Sequence, residues 1–66
     1  MFFGSHKQLR YLANAGVADA QYYLGLHYCI LNNPKMASLW LERAAFQNHE
    51  QAKETMRELI EKNLIV

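Results

Sequence analysis

The sequence predicts an all-α fold, four short antiparallel helices arranged as two helix–turn–helix units. Three observations predict it. Apolar residues recur at helical spacing and nowhere alternate with period two as strands require. The single proline, Pro34, follows an asparagine at a natural helix start, and there is no glycine-rich stretch. The chain also matches itself when shifted by 32 residues, which places Leu9 on Leu41, Ala13 on Ala45, Gly16 on Asn48, Ala20 on Ala52 and Leu24 on Met56.

Each helix is bounded by its own punctuation. Ser5 with Gln8 three residues on is a capping-box pattern, so the first helix spans about 6–15 and buries Leu9, Leu12 and Ala13. Gly16 ends it, because the residue past a helix often needs positive φ, which glycine adopts without steric cost. The second helix spans about 17–31 and stops at Asn32 and Asn33. Asn33 caps the third, about 34–47, with Pro34 at the first helical position. Ala37, Trp40, Leu41, Ala44 and Ala45 line one side of it, and Asn48 stands where Gly16 stood. The fourth, about 49–63, is expected to bury Ala52, Met56, Leu59 and Ile60. Its other face, Glu50, Lys53, Glu54, Arg57, Glu58, Glu61 and Lys62, reads as a solvated end cap with Arg57–Glu61 and Glu58–Lys62 pairs at helical spacing.

The alanines that flank the two turns, Ala13, Ala20, Ala45 and Ala52, sit where antiparallel helices come closest and a larger side chain would separate them. With them, Ala13-Asn14-Ala15-Gly16, Ala20, Leu24-Gly25, Tyr28, Ala37, Trp40 and Ala44-Ala45 fall in the order A-x-x-G, A-x-x-x-L-G-x-x-Y, A-x-x-W-x-x-x-A-A. This resembles the Sel-1-like repeat, a relative of the tetratricopeptide repeat, over about 40 of the 66 residues. The resemblance implies a fragment of a right-handed α–α superhelix that binds protein without catalysing a reaction, as an adaptor, an immunity protein or a regulator. Two departures from the pattern stand out: only eight residues separate Tyr28 from Ala37, which shortens the loop, and Asn48 replaces the usual glycine at the second turn.

Composition narrows the function classes. With 52% hydrophobic residues the chain is not of the disordered type, and 66 residues form one domain with a thin core and a net stability of roughly 3–10 kcal/mol. Seven Lys and Arg against six Asp and Glu leave a net charge of +1 with no like-charge block, which argues against a nucleic-acid groove or an anionic-membrane surface. Lys7, Arg10, Lys35, Arg43, Lys53 and Arg57 are spread over four helices. Met1, Phe2 and Phe3 are too few for a signal-peptide core, and no apolar run nears the ~20 residues of a membrane span. The single cysteine, Cys29, fits a reducing compartment, so a cytoplasmic location is expected. Cys29 has no adjacent base on its face of the helix and reads as an apolar filler. His6, His27 and His49 lack paired spacing and read as surface or boundary residues. No catalytic residue, cofactor or metal is expected.

The second helix is apolar nearly all round. Val17, Ala20, Leu24, Tyr28 and Leu31 form one stripe; Tyr22, Tyr23, Leu26, Cys29 and Ile30 form another on the opposite side. Either its neighbours cover both, or part of Tyr22, Tyr23, Leu26 and Ile30 is left as an interface. Leu39 and Phe46, seven apart on the third helix and off its Trp40 stripe, are a second candidate patch, and Leu64-Ile65-Val66 a third. The expected function is a small adaptor or regulator that binds a protein partner, a second copy included, through these residues. The alternative is a compact inhibitor or immunity-type protein, phage or mobile-element encoded, that blocks a host protein.

Overall fold

A computed structural model describes residues 6–63. They form α1 (His6–Asn14), α2 (Ala18–Ile30), α3 (Pro34–Phe46) and α4 (Glu50–Glu61), with no strand among the described residues. The Ser5 capping box, the Met1–Phe3 segment and the Leu64–Val66 tail lie outside them.

One turn chemistry is used three times, at sixteen-residue spacing. At Gly16, Asn32 and Asn48 the chain enters the left-handed region with φ of 98°, 58° and 65°. At each, that residue's N–H donates to the carbonyl three back (Ala13, Cys29, Ala45), and the next N–H donates to the carbonyl five back (Leu12, Tyr28, Ala44). These paired bonds satisfy carbonyls that a helix end otherwise leaves open. Asparagine tolerates this conformation better than other residues with a Cβ, which is why Asn48 substitutes for glycine. The Asn33 cap forms as expected: its Oδ1 accepts from the Met36 N–H at 3.3 Å, with Pro34 in the first turn.

Each helix packs chiefly against its neighbours in sequence, and the α2–α3 interface is the most extensive. Two apolar clusters share that pair. Ala13, Ala20, Leu24 and Trp40 join α1 to α2 and α3, supported by Leu9, Leu12, Tyr28 and Met36. Leu41, Ala44 and Ala52 join α4 to α3, with Tyr22, Cys29, Ala45, Met56 and Leu59 packed around them. The two stripes of α2 thus point into different clusters.

Expectation and structure differ at the margins. Ile60 is half exposed rather than buried. Because α4 has one main neighbour, only the stripe of Ala52, Met56 and Leu59 is covered, and Ile60 lies about 100° further round. Val17 and Leu31 are the caps of α2, not interior residues, and both are exposed. On α4 the ion pair within 4 Å is Lys53–Glu50 at 3.3 Å; among the described residues Arg57–Glu61 and Glu58–Lys62 do not close.

Gly25 marks a close approach of α2 to α3. A Cβ there would lie 2.7 Å from Leu41 Cγ, 2.8 Å from its Cδ2 and 3.2 Å from its backbone nitrogen. Leu41 is fully buried and the backbone behind it cannot rotate away. Gly25→Ala gains about 1 kcal/mol of helix propensity but forces overpacking that costs about 1–3 kcal/mol. The expected net is destabilisation, read as a fall of several degrees in Tm; a rise in Tm would mean that the two helices separate freely.

Candidate functional site

Two polar clusters set the positions of the surfaces between the helices. Gln21 is buried, and its Nε2 donates to the Ala13 carbonyl at 3.1 Å. Its Oε1 accepts from Gln47 Nε2 at 3.0 Å, and that same nitrogen donates to the Gly16 carbonyl at 2.9 Å. The end of α3 is therefore clasped to the α1–α2 turn through neutral hydrogen bonds that leave both glutamines' contacting groups satisfied.

The second cluster is built on His49, whose side chain is only 8% exposed. Its Nδ1 accepts from the Ala52 N–H at 3.2 Å, so the ring caps α4. A nitrogen that accepts carries no proton, which puts the ring N–H on Nε2, where it donates to Asp19 Oδ1 at 2.7 Å. Tyr22 stacks on the ring with centroids 4.7 Å apart and planes inclined at 27°. His49, expected at the surface or boundary, is a half-buried residue whose shielded side chain caps α4. Nothing in the sequence spacing flags its contact with Asp19, because the donor role of Nε2 depends on α2 arriving alongside.

The apolar face expected on α2 is divided. Tyr22 is half-buried against the α3–α4 cluster and His49, and Leu26 is also half-buried. Tyr23, whose ring meets Tyr22 at 5.2 Å, and Ile30 are the exposed members. Tyr22, Tyr23, Leu26 and Ile30 do not form one open patch.

Leu39 and Phe46 are brought together. Phe46 is 93% exposed and Leu39 39%. With Glu42, Arg43 and Gln47 they line an open groove of about 390 Å³, and Gln21 from α2 completes its wall. Positions 39, 42, 43, 46 and 47 are one helix stripe, so α3 and its C-cap supply all of this surface except Gln21. Arg43 is held over the Trp40 ring, 4.7 Å from its centroid, and Ser38 Oγ donates to Glu42 Oε2 at 3.1 Å. Both charges sit beside the apolar residues in fixed positions. The ring that supports Arg43 is buried, and its Nε1 has no hydrogen-bond partner among the described residues.

Elsewhere the fold pairs His6 with His27, at 4.3 Å between centroids, although their sequence positions lie far apart. No group of three or more His, Cys, Asp or Glu among the described residues is placed to hold a metal ion. Desolvation, then the His27 ring and Arg10, lower the His6 pKa below 6.5. Burial raises the pKa of the Cys29 thiol, which packs with the Leu41 cluster. Among the described residues no helix is long and apolar enough to cross a membrane.

His49→Ala removes a cap and a hydrogen bond to a carboxylate, and is expected to lower stability by about 1–2 kcal/mol in urea unfolding. His49→Asn, which keeps a capping oxygen, should recover part of the loss; no recovery would refute the capping role. The lowered pKa of His6 means that the unfolded chain takes its proton more readily. Its contribution is full above pH 6.5 and stability is lost as pH falls below that value. An NMR titration should give a His6 midpoint below 6.5 that moves upward in His27→Gln.

No family model, curated protein or solved structure matches the chain, and its functional reading rests on its own surface chemistry.

Proposed function

We propose that the chain is a non-catalytic protein-interaction module, a cytoplasmic adaptor or regulator of the Sel-1-like hairpin type, which binds a protein partner through the outer stripe of α3. One observation carries the reading: Phe46 is 93% exposed on a helix and shares its groove with Leu39, Glu42 and Arg43.

Burying a phenylalanine side chain that water now surrounds is worth roughly 1.5–3 kcal/mol, which no contact within the described residues supplies. Phenylalanine and arginine are enriched in protein interfaces. Arg43, already positioned by Trp40, has less conformational freedom to lose on binding than a free arginine. The groove is open along its length, which suits a partner helix or loop better than an enclosed small molecule. The half-buried Cys29 with its raised pKa lacks the thiolate character of a nucleophile.

The test is site-specific photocross-linking in the source cell with a benzophenone side chain at position 46, against a control at Glu58 on exposed α4. A discrete cross-linked species is expected at 46, absent at 58 and reduced at least about tenfold by Leu39→Ser, equivalent to ~1.4 kcal/mol. Equal labelling at both positions would refute an α3 interface.

A further inference from the structure

We infer that the partner met by the α3 face is a second copy of this chain, docked antiparallel about a two-fold axis that passes between Glu42 and Arg43. The inference rests on the α3 binding reading above and names its occupant.

The groove residues are self-complementary. In an antiparallel pair of identical helices centred between positions 42 and 43, each residue faces the one whose number sums with its own to 85. Leu39 then faces Phe46 of the other copy, and Glu42 faces Arg43 (39 + 46 and 42 + 43 both give 85). Both apolar members meet apolar members and both charges meet their opposites, twice each by symmetry. A parallel arrangement would set Glu42 on Glu42 and Arg43 on Arg43. All four side chains are exposed and line one groove, so none must leave the core to make the contact. Trp40 holds Arg43 from below, which leaves the guanidinium edge able to meet a carboxylate.

Stacking hairpin on hairpin, the other way for two copies to meet, is closed at α4. The surface by which α2 receives α3 uses Tyr22, Gly25 and Cys29. The 32-residue shift replaces these on α4 with Glu54, Arg57 and Glu61. Where α2 offers a bare glycine backbone for close approach, α4 carries an arginine.

The area sets the strength. α3 is 13 residues long, about 20 Å, and a single helix stripe of that length covers roughly 300–400 Å² per copy. That is below the ~800 Å² per partner of stable complexes, so a weak dimer is expected, with Kd on the order of 0.1–1 mM.

Sedimentation velocity and NMR diffusion of the pure chain, from about 20 µM to 2 mM, measure the association over the range that this Kd predicts. The wild type should shift from monomer to dimer. Glu42→Arg and Arg43→Glu should each weaken the dimer at least about tenfold, by placing like charges opposite each other. An equimolar mixture of the two should restore it as a heterodimer, and the double variant Glu42→Arg/Arg43→Glu should restore it alone. Phe46→Ser should abolish it without lowering Tm, since Phe46 is almost fully exposed. The double variant controls for any loss of the Arg43–Trp40 contact, because it lacks that contact and still pairs. A wild type that stays monomeric to 2 mM, or a dimer indifferent to these substitutions, overturns the inference. Such a result leaves the broader binding reading to the photocross-link at position 46, where a species whose mass is not twice that of this chain stands for a different polypeptide on the same face.

Discussion

The contact between the Gly25 backbone and Leu41 is the constraint on which the rest of the structure depends. It sets how near α2 and α3 lie, and both apolar clusters span that pair. Leu24 and Trp40 close the cluster with α1, and Leu41 and Ala44 close the one with α4. A wider α2–α3 spacing would open both together. α1 and α4 have one main neighbour each and follow the central pair.

Close spacing is what a core of small residues requires. Of the eight buried apolar residues among those described, five are alanines: Ala13, Ala20, Ala37, Ala44 and Ala52. Alanine loses no rotamer freedom and favours helix, but it buries little area. Short helices with such cores lean on their ends. The left-handed turns at Gly16, Asn32 and Asn48, the Asn33 and His49 caps and the bonds from Gln21 and Gln47 to the Ala13 and Gly16 carbonyls satisfy backbone groups that would otherwise cost energy where they are shielded from water. The clasp also ties the end of α3 to the α1–α2 turn, and its two glutamines, Gln21 and Gln47, line the groove with Leu39 and Phe46. Turn chemistry thereby becomes surface geometry.

A row of helices in which each meets chiefly its sequence neighbours cannot cover every face. α3 has α2 and α4 as its main neighbours, and its outer stripe retains two large apolar residues flanking two opposite charges. On α2 the corresponding excess is partly absorbed, because Tyr22 turns inward to His49 and the α4 side. That difference, and not hydrophobicity alone, separates the two patches that their sequence patterns made look alike.

By itself the sequence determined the helices and their limits, because the signals are local: Gly16 and Asn48 for positive φ, Asn33-Pro34 for a helix start, and apolar spacing for the buried stripes. The Leu39–Phe46 patch was legible for the same reason, as an apolar pair on the wrong side of its own helix. Only the tertiary structure decided how much of the second α2 stripe is covered, that Ile60 stays half exposed, and that His49 caps α4 while reaching Asp19. It also brought His6 to His27 and Gln21 to Gln47, across 21 and 26 residues of sequence. These depend on which helices become neighbours, and neither helical periodicity nor capping chemistry carries that information, since both describe a helix one turn at a time.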